Sequence, residues 1–183
     1  MEWQKQHINL ENVKEQYIDG EKFYQYTAID EYSRLRYTWF TNAHDTYASS
    51  EFARRLVKYF PFKIKTIQTD NGFEFTNRLS WQAFLKSKKT MFENTLEELG
   101  LEYKVIKPHT PKQNGRVERS HRNDNERFYN TLIINNLEDL REKGKAYLER
   151  SNKIPMACLN YLTPLEKRKE LIVSLLVQHN TFI

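Results

Sequence analysis

Apolar positions near the start of the chain run Ile8, Leu10 and, after Asn12, Val13, which predicts a strand over 7–13 with His7, Asn9 and Glu11 on its other face. Asp19-Gly20 then offers a tight hairpin turn into 23–29, a run rich in aromatic and β-branched residues. The stretch 30–34, DEYSR, reads as a second turn, and 35–40 returns as a third strand, so the first three strands form an antiparallel meander. Asp45 or Thr46 caps a helix in which Phe52, Leu56, Tyr59 and Phe60 recur at helical spacing until Pro61 stops it. A short strand over 64–68 follows, ending at Thr69-Asp70-Asn71-Gly72. Reached through a helix, it is expected to lie parallel to an earlier strand. Asp70 is then placed at the carboxyl end of a strand, the edge where open α/β sheets bind ligands.

Further along, Phe92, Leu96 and Leu99 make a helical stripe closed by Gly100, whereas 78–90 carries Trp81, Phe84 and a basic cluster with no clear period. A last short strand spans 103–106. The stretch 109–129, HTPKQNGRVERSHRNDNERFY, opens with Thr110 as a cap and Pro111 at the first helical position. On the helix it predicts, Asn114, Glu118, His121, Arg122 and Asn125 share a face with almost nothing apolar on it. Such a helix is either solvated all round, with pairs such as Glu118 to Arg122, or lines a site that handles charge. Another helix is expected over 137–148, ending near Asn152, and Thr163-Pro164 opens a final short one over 165–171.

The 183 residues make one domain, taken as a core over 1–175 and a tail over 176–183. Hydrophobic residues at 39% and charged residues at 29% describe a globular rather than a disordered chain. The net charge of +5 points toward a polyanionic partner, and much of the positive charge flanks the 109–129 helix, in Lys104, Lys107, Lys112, Arg116, Arg119 and Arg122. A single cysteine, Cys158, excludes an internal disulfide and a cysteine-rich zinc cluster, and is read as a small buried residue. No apolar run is long enough to span a bilayer and the N-terminus lacks the apolar core of a signal peptide, so a soluble, intracellular protein without a membrane partner is expected. His109 and His121 lack partners at zinc spacing, and there is no Ser-His-Asp arrangement or phosphate-cradling glycine loop.

Two carboxylates stand out, Asp70 in QTDNGFEF and Glu118 in HTPKQNGRVERSHR. Both segments resemble those of the integrase catalytic core in bacterial insertion-sequence transposases and retroviral integrases, where the T-D-N-G aspartate and the N-G-x-V-E glutamate are the second and third acids of an Asp-Asp-Glu triad. The likeness extends over nearly the whole chain, including YTAIDEYSR at the second strand and LTPLEKRKEL near the end. It implies an α/β ribonuclease H-like fold, a five-stranded mixed sheet flanked by helices, acting on transposon ends and target DNA as a homo-oligomer in the bacterial cytoplasm, at the nucleoid. It also implies two Mg²⁺ or Mn²⁺ ions, with Asp70 and Glu118 as catalytic and metal-holding residues. Hard cations take oxygen ligands, so carboxylates suit that role. Lys112, Asn114, Arg116, Arg119, His121 and Arg122 are the residues expected to hold DNA phosphates without reading sequence.

The chain departs from that pattern in two places. Asp70 and Glu118 stand farther apart than in many members, which fits an insertion around 78–95 whose basic residues and Trp81 either contact DNA or form a surface flap. The first acid is the larger departure, because its position falls on Asn9, and an amide offers a metal one carbonyl oxygen but no charge. Catalysis is therefore expected to be crippled, with a non-catalytic remnant that binds DNA or assembles as the rival reading and a ribonuclease H-type nuclease as a third. Asp30 is the candidate substitute: a strict two-residue turn at Asp19-Gly20 would pair it with Asn9, although it reads more naturally as a turn residue bonding near Ser33 and Arg34. Glu11 and Glu74, near the site in sequence, are expected to be solvated. No helix-turn-helix precedes the core, so recognition of element ends is expected to reside elsewhere.

Overall fold

The computed structural model describes residues 7–18, 20–78, 80–106 and 122–180. Five strands, β1 (His7–Ile18), β2 (Glu21–Asp30), β3 (Arg36–Thr41), β4 (Thr66–Thr69) and β5 (Glu102–Val105), form one sheet in the order β3-β2-β1-β4-β5. The first three are an antiparallel meander, and β4 and β5 run parallel to β1, giving the mixed sheet expected from the turn signals and the intervening helices.

β1 is longer than its alternation predicts, because a β-bulge between Glu11 and Lys14 carries it on to Ile18. Before the bulge Asn9 opposes Ile29 and Leu10 opposes Ala28; after it Lys14 opposes Gln25 and Gln16 opposes Phe23. One extra residue turns the strand over, so even-numbered positions point to one sheet face before the bulge and to the other after it.

The face carrying Ile8, Leu10, Tyr26, Ala28 and Ile67 is covered by α1 (Thr46–Tyr59) and α3 (Met91–Glu98), which contribute Phe52, Leu56, Phe92 and Leu96 to the main core. Asp45 caps α1, accepting from the Ala48 amide at 2.8 Å. Thr90 and Glu93 close a reciprocal capping box on α3, and Gly100 follows with φ +68°. The aperiodic stretch before α3 holds only a one-turn helix, α2 (Ala83–Lys86).

The opposite face carries Phe23, Phe40 and, after the bulge, Ile18, and packs against Phe128 and Leu140. Phe128 belongs to the described end of the 109–129 stretch, helical from Arg122 and continuing as a π-helix over Asn125–Tyr129. Residues 107–121, which include the rest of that stretch, lie outside the described residues. Leu140 belongs to α4 (Leu137–Ser151), capped by Asn136. A Cβ at Gly144 of α4 would stand 2.2 Å from Phe40 Cε2, so glycine is what lets this helix approach β3. Gly144→Ala should therefore cost about 1–3 kcal/mol, read as a lower urea midpoint at unchanged slope.

The last helix, α5 (Pro164–Asn180), starts where expected, with Thr163 Oγ1 accepting from Glu166 N at 3.1 Å and Glu166 Oε2 from Thr163 N at 2.8 Å, but continues well past Leu171. Among the described residues no helix is long and apolar enough to cross a membrane. Cys158 is exposed, contrary to its expected burial, because it sits in a short 3₁₀ turn, Ala157–Leu159, that buries Leu159 instead.

Candidate nucleic-acid active site

Asn9 lies in the middle strand, opposite Ile29 of β2 and beside Gln68 of β4. Strand alternation puts Asn9, Gln68 and Ile29 on the sheet face that the 122–129 segment covers, and Asp70 is the next residue of that phase beyond β4. Asn9 and Asp70, a third of the chain apart in sequence, are thus brought to neighbouring parallel strands, Asp70 just past the end of β4. The Asn9 side chain is oriented on one side only: its Nδ2 donates to Glu31 Oε1 at 2.9 Å, while its Oδ1 is buried with no hydrogen-bond partner among the described residues.

Asp70 begins the turn that leaves β4. Its Oδ1 accepts from the Gly72 amide at 3.1 Å, and Asn71 Nδ2 ties the turn to β5 through the Ile106 carbonyl at 2.9 Å. Burial pushes the Asp70 carboxyl above its ordinary range, against the Gly72 hydrogen bond, and the neighbouring Glu74 charge adds to the rise. Glu74 is not solvated as expected. Its side chain is only 9% exposed because the tight turn at Gly72, where a Cβ would meet the Glu74 carboxylate at 2.5 Å, folds it inward to pair with His44 Nε2 at 3.2 Å.

Asp30 does not stand beside Asn9. The bulge shifts the register so that Asp30 opposes Ile8, on the main-core face, where its Oδ2 accepts from Ser33 N at 2.7 Å and Ser33 Oγ at 2.6 Å. It is the turn residue of the alternative reading. The carboxylate that does reach Asn9 is Glu31, one residue later and on the other face, and a register count without the bulge misses it.

A second group went unread in the sequence. Asp124, 1% exposed, accepts from Arg36 Nη1 and Nη2 at 2.9 and 2.7 Å, from Gln25 Nε2 at 2.8 Å and from Tyr147 Oη at 3.0 Å. Tyr129 Oη donates to Gln25 Oε1 at 2.5 Å, and Lys14 bonds Asn125 while lying 4.0 Å over the Tyr129 ring. Burial pulls the Lys14 ammonium down to about 8, with Asp124 acting the other way. This network ties the stretch that follows Glu118 to all three antiparallel strands.

Of the residues expected to hold DNA, Arg122 is described and exposed; Lys112, Asn114, Arg116, Arg119 and His121 lie outside the described residues, as does Glu118, and so does the Glu11 side chain. In the 78–95 stretch Trp81 is 86% exposed and Phe84 has Lys88 Nζ 5.2 Å over its ring, an aromatic and basic surface.

Among the described residues no three His, Cys, Asp or Glu side chains converge on a metal position. The donors present nonetheless suit a hard divalent ion: a buried Asn9 carbonyl oxygen without a partner, and a carboxylate at Asp70 just past the end of the adjacent strand.

Comparisons with known proteins bear on the fold and the family. Residues 7–111 match the model of the integrase core domain family, and residues 99–164 match a second integrase core domain model. The putative integrase ORF3 of Spiroplasma virus SpV1-C74 is 28% identical over 161 residues, covering 83% of this chain and 43% of the relative. The chain therefore spans less than half the length of that curated relative. Among solved structures, the catalytic core domain of BIV integrase superposes with a TM-score of 0.61 at 17% identity, covering 97% of this chain and 98% of that one. A chain of the simian T-cell lymphotropic virus intasome in complex with PP2A regulatory subunit B56 gamma gives 0.63 at 12% identity, over 88% of this chain and 53% of the other. The fold is that of integrase catalytic cores, ribonuclease H-like.

Proposed function

Because the chain belongs to the integrase core domain family, we propose that it cuts and joins DNA strands by phosphoryl transfer, with Asp70 and Glu118 as its catalytic carboxylates and Asn9 where a first acid would stand. The observation that carries this reading is the placement of Asn9 and the turn holding Asp70 on adjacent parallel strands, with a buried, unpartnered oxygen on Asn9. Asp70 and Glu118 would hold Mg²⁺ or Mn²⁺, and a pair of such ions supplies a nucleophile at neutral pH and stabilises a leaving alkoxide.

The remaining steps belong to the chain itself. Lys112, Asn114, Arg116, Arg119, His121 and Arg122 would grip the phosphodiester backbone of transposon ends and target, fixing its position without reading bases. Gly72 N, by donating to Asp70 Oδ1, fixes the orientation of the carboxylate that would hold a divalent ion. We place the chain on DNA as a homo-oligomer, at the nucleoid in the cytoplasm.

The second reading, a remnant that binds DNA without chemistry, is favoured by Asn9 alone. Strand-joining assays with Mn²⁺ decide between them. The chain as it stands should join weakly, and Asn9→Asp should raise the rate on the order of 10- to 100-fold, the scale on which metal sites respond to a changed neighbouring ligand. Equal rates would remove the impairment, and no joining by either chain would leave the remnant.

A further inference from the structure

We infer that Glu31 is the positioning residue of the candidate metal site: it fixes the Asn9 amide so that Oδ1 becomes a neutral oxygen ligand, and lends that oxygen charge through the hydrogen bond. The inference rests on the reading of Asn9 and Asp70 given above. A carboxamide has two ends, and they are not equivalent. With Nδ2 donating to Glu31 Oε1 at 2.9 Å, the carbonyl end must point the opposite way, and that is the end found buried and unpartnered. The rotamer is not ambiguous, since turning the amide over would set its oxygen against a carboxylate. A buried carbonyl oxygen without a hydrogen-bond partner carries an uncompensated desolvation cost, which a bound cation would remove.

The placement of Glu31 follows from the fold. Asn9 opposes Ile29, and two residues on, in the same phase, Glu31 leaves β2 with its amide bonded to the His7 carbonyl at 3.0 Å. The backbone of Glu31 is therefore clamped to the start of β1, close to the residue it orients. A carboxylate accepting from a ligating side chain raises the electron density on the ligand, as carboxylates do behind metal-bound imidazoles. An Asn9–Glu31 pair thus carries the single negative charge that an aspartate would bring, displaced by one hydrogen bond.

The test is Mn²⁺ binding by the 183-residue chain, followed by calorimetry at neutral pH, with thermal unfolding in the absence of metal as a control. Glu31→Gln should weaken Mn²⁺ binding on the order of tenfold or more while leaving metal-free unfolding nearly unchanged. The exchange Asn9→Asp/Glu31→Gln keeps a donor facing an acceptor and moves the charge onto position 9; it should bind at least as tightly as the unaltered chain. It should also bind more tightly than Asn9→Asp alone, in which two carboxylates would face each other across the former hydrogen bond. Unaltered Mn²⁺ affinity in Glu31→Gln overturns the inference. Where binding by the unaltered chain is too weak to titrate, equal affinities of Asn9→Asp and the exchanged pair overturn it. Asp70→Asn separates the two levels: if it too leaves binding unchanged, the site itself is wrong, whereas if it abolishes binding and Glu31→Gln does not affect it, only the role of Glu31 falls.

Discussion

Arg36→Met is expected to destabilise the fold by about 3–5 kcal/mol, because it leaves the Asp124 carboxylate buried and without its counter-ion. Both partners are nearly solvent-free, so screening by water and salt does little to soften the loss. Burial alone would push the Asp124 carboxyl up, but the hydrogen bonds and charge of Arg36, with Gln25 and Tyr147, outweigh it and hold the group below its usual 3.8. A carboxyl depressed in the folded state stabilises fully above its unfolded value, and that contribution fades as pH falls through the lower, folded one. The gap between the two chains in a denaturant titration should therefore be widest where Asp124 is ionised in both, and should shrink as pH falls and the Asp124 left without Arg36, pushed up by burial, takes up its proton before the paired one does. Arg36→Met/Asp124→Leu, which removes both charges, should recover much of the loss. A single variant with an unchanged denaturation midpoint would show that the ion pair does not hold the 122–129 segment to the sheet.

The largest functional effect is expected from Asp70→Asn: on the proposed function strand joining should drop by about 100-fold or more, the scale expected when a metal-holding carboxylate loses its charge. The fold should not suffer. Burial already disfavours the ionised Asp70 and Glu74 adds repulsion, so a neutral amide of the same shape should leave metal-free stability equal or slightly higher. Joining at the unaltered rate, with unfolding also unaltered, would remove Asp70 from the chemistry.

The elements most visible in the sequence were those in which one local rule acts alone. A cap at Asp45 or Thr46 with Pro61 as a stop, the Phe92, Leu96 and Leu99 stripe closed by Gly100, and the Thr163-Pro164 start each depend on residues a turn or two apart, and the structure has helices where those residues stand. The length of α5 is not marked in the sequence, because no proline or glycine stands at its end. Asp70 was legible as a strand-end carboxylate, but the burial of Glu74 was not, since it follows from how closely the Gly72 turn folds back. The Arg36–Asp124 pair joins residues far apart in the chain, and nothing local distinguishes either from an ordinary surface charge.

The register of β1 decides which acid meets Asn9. Val13 following Leu10 marks a change of phase, and with that one step the partner of Asn9 changes from Asp30, a residue folded into its own turn, to Ile29, which brings Glu31 alongside. Competition among chemically similar acids was settled by the path of the backbone rather than by the acids themselves.

That extra residue makes the middle strand a two-sided part: its first half shows Asn9 to the same side on which its second half shows Lys14 and Ile18. Chain length here counts by parity. Loss of one of Asn12 or Val13 would leave a single residue opposite Tyr26 and an unbroken ladder whose two halves face as they do now, whereas loss of both would set Lys14 directly after Glu11 and turn half the strand inside out, so paired deletions in this short window should be purged far more severely than single-codon ones.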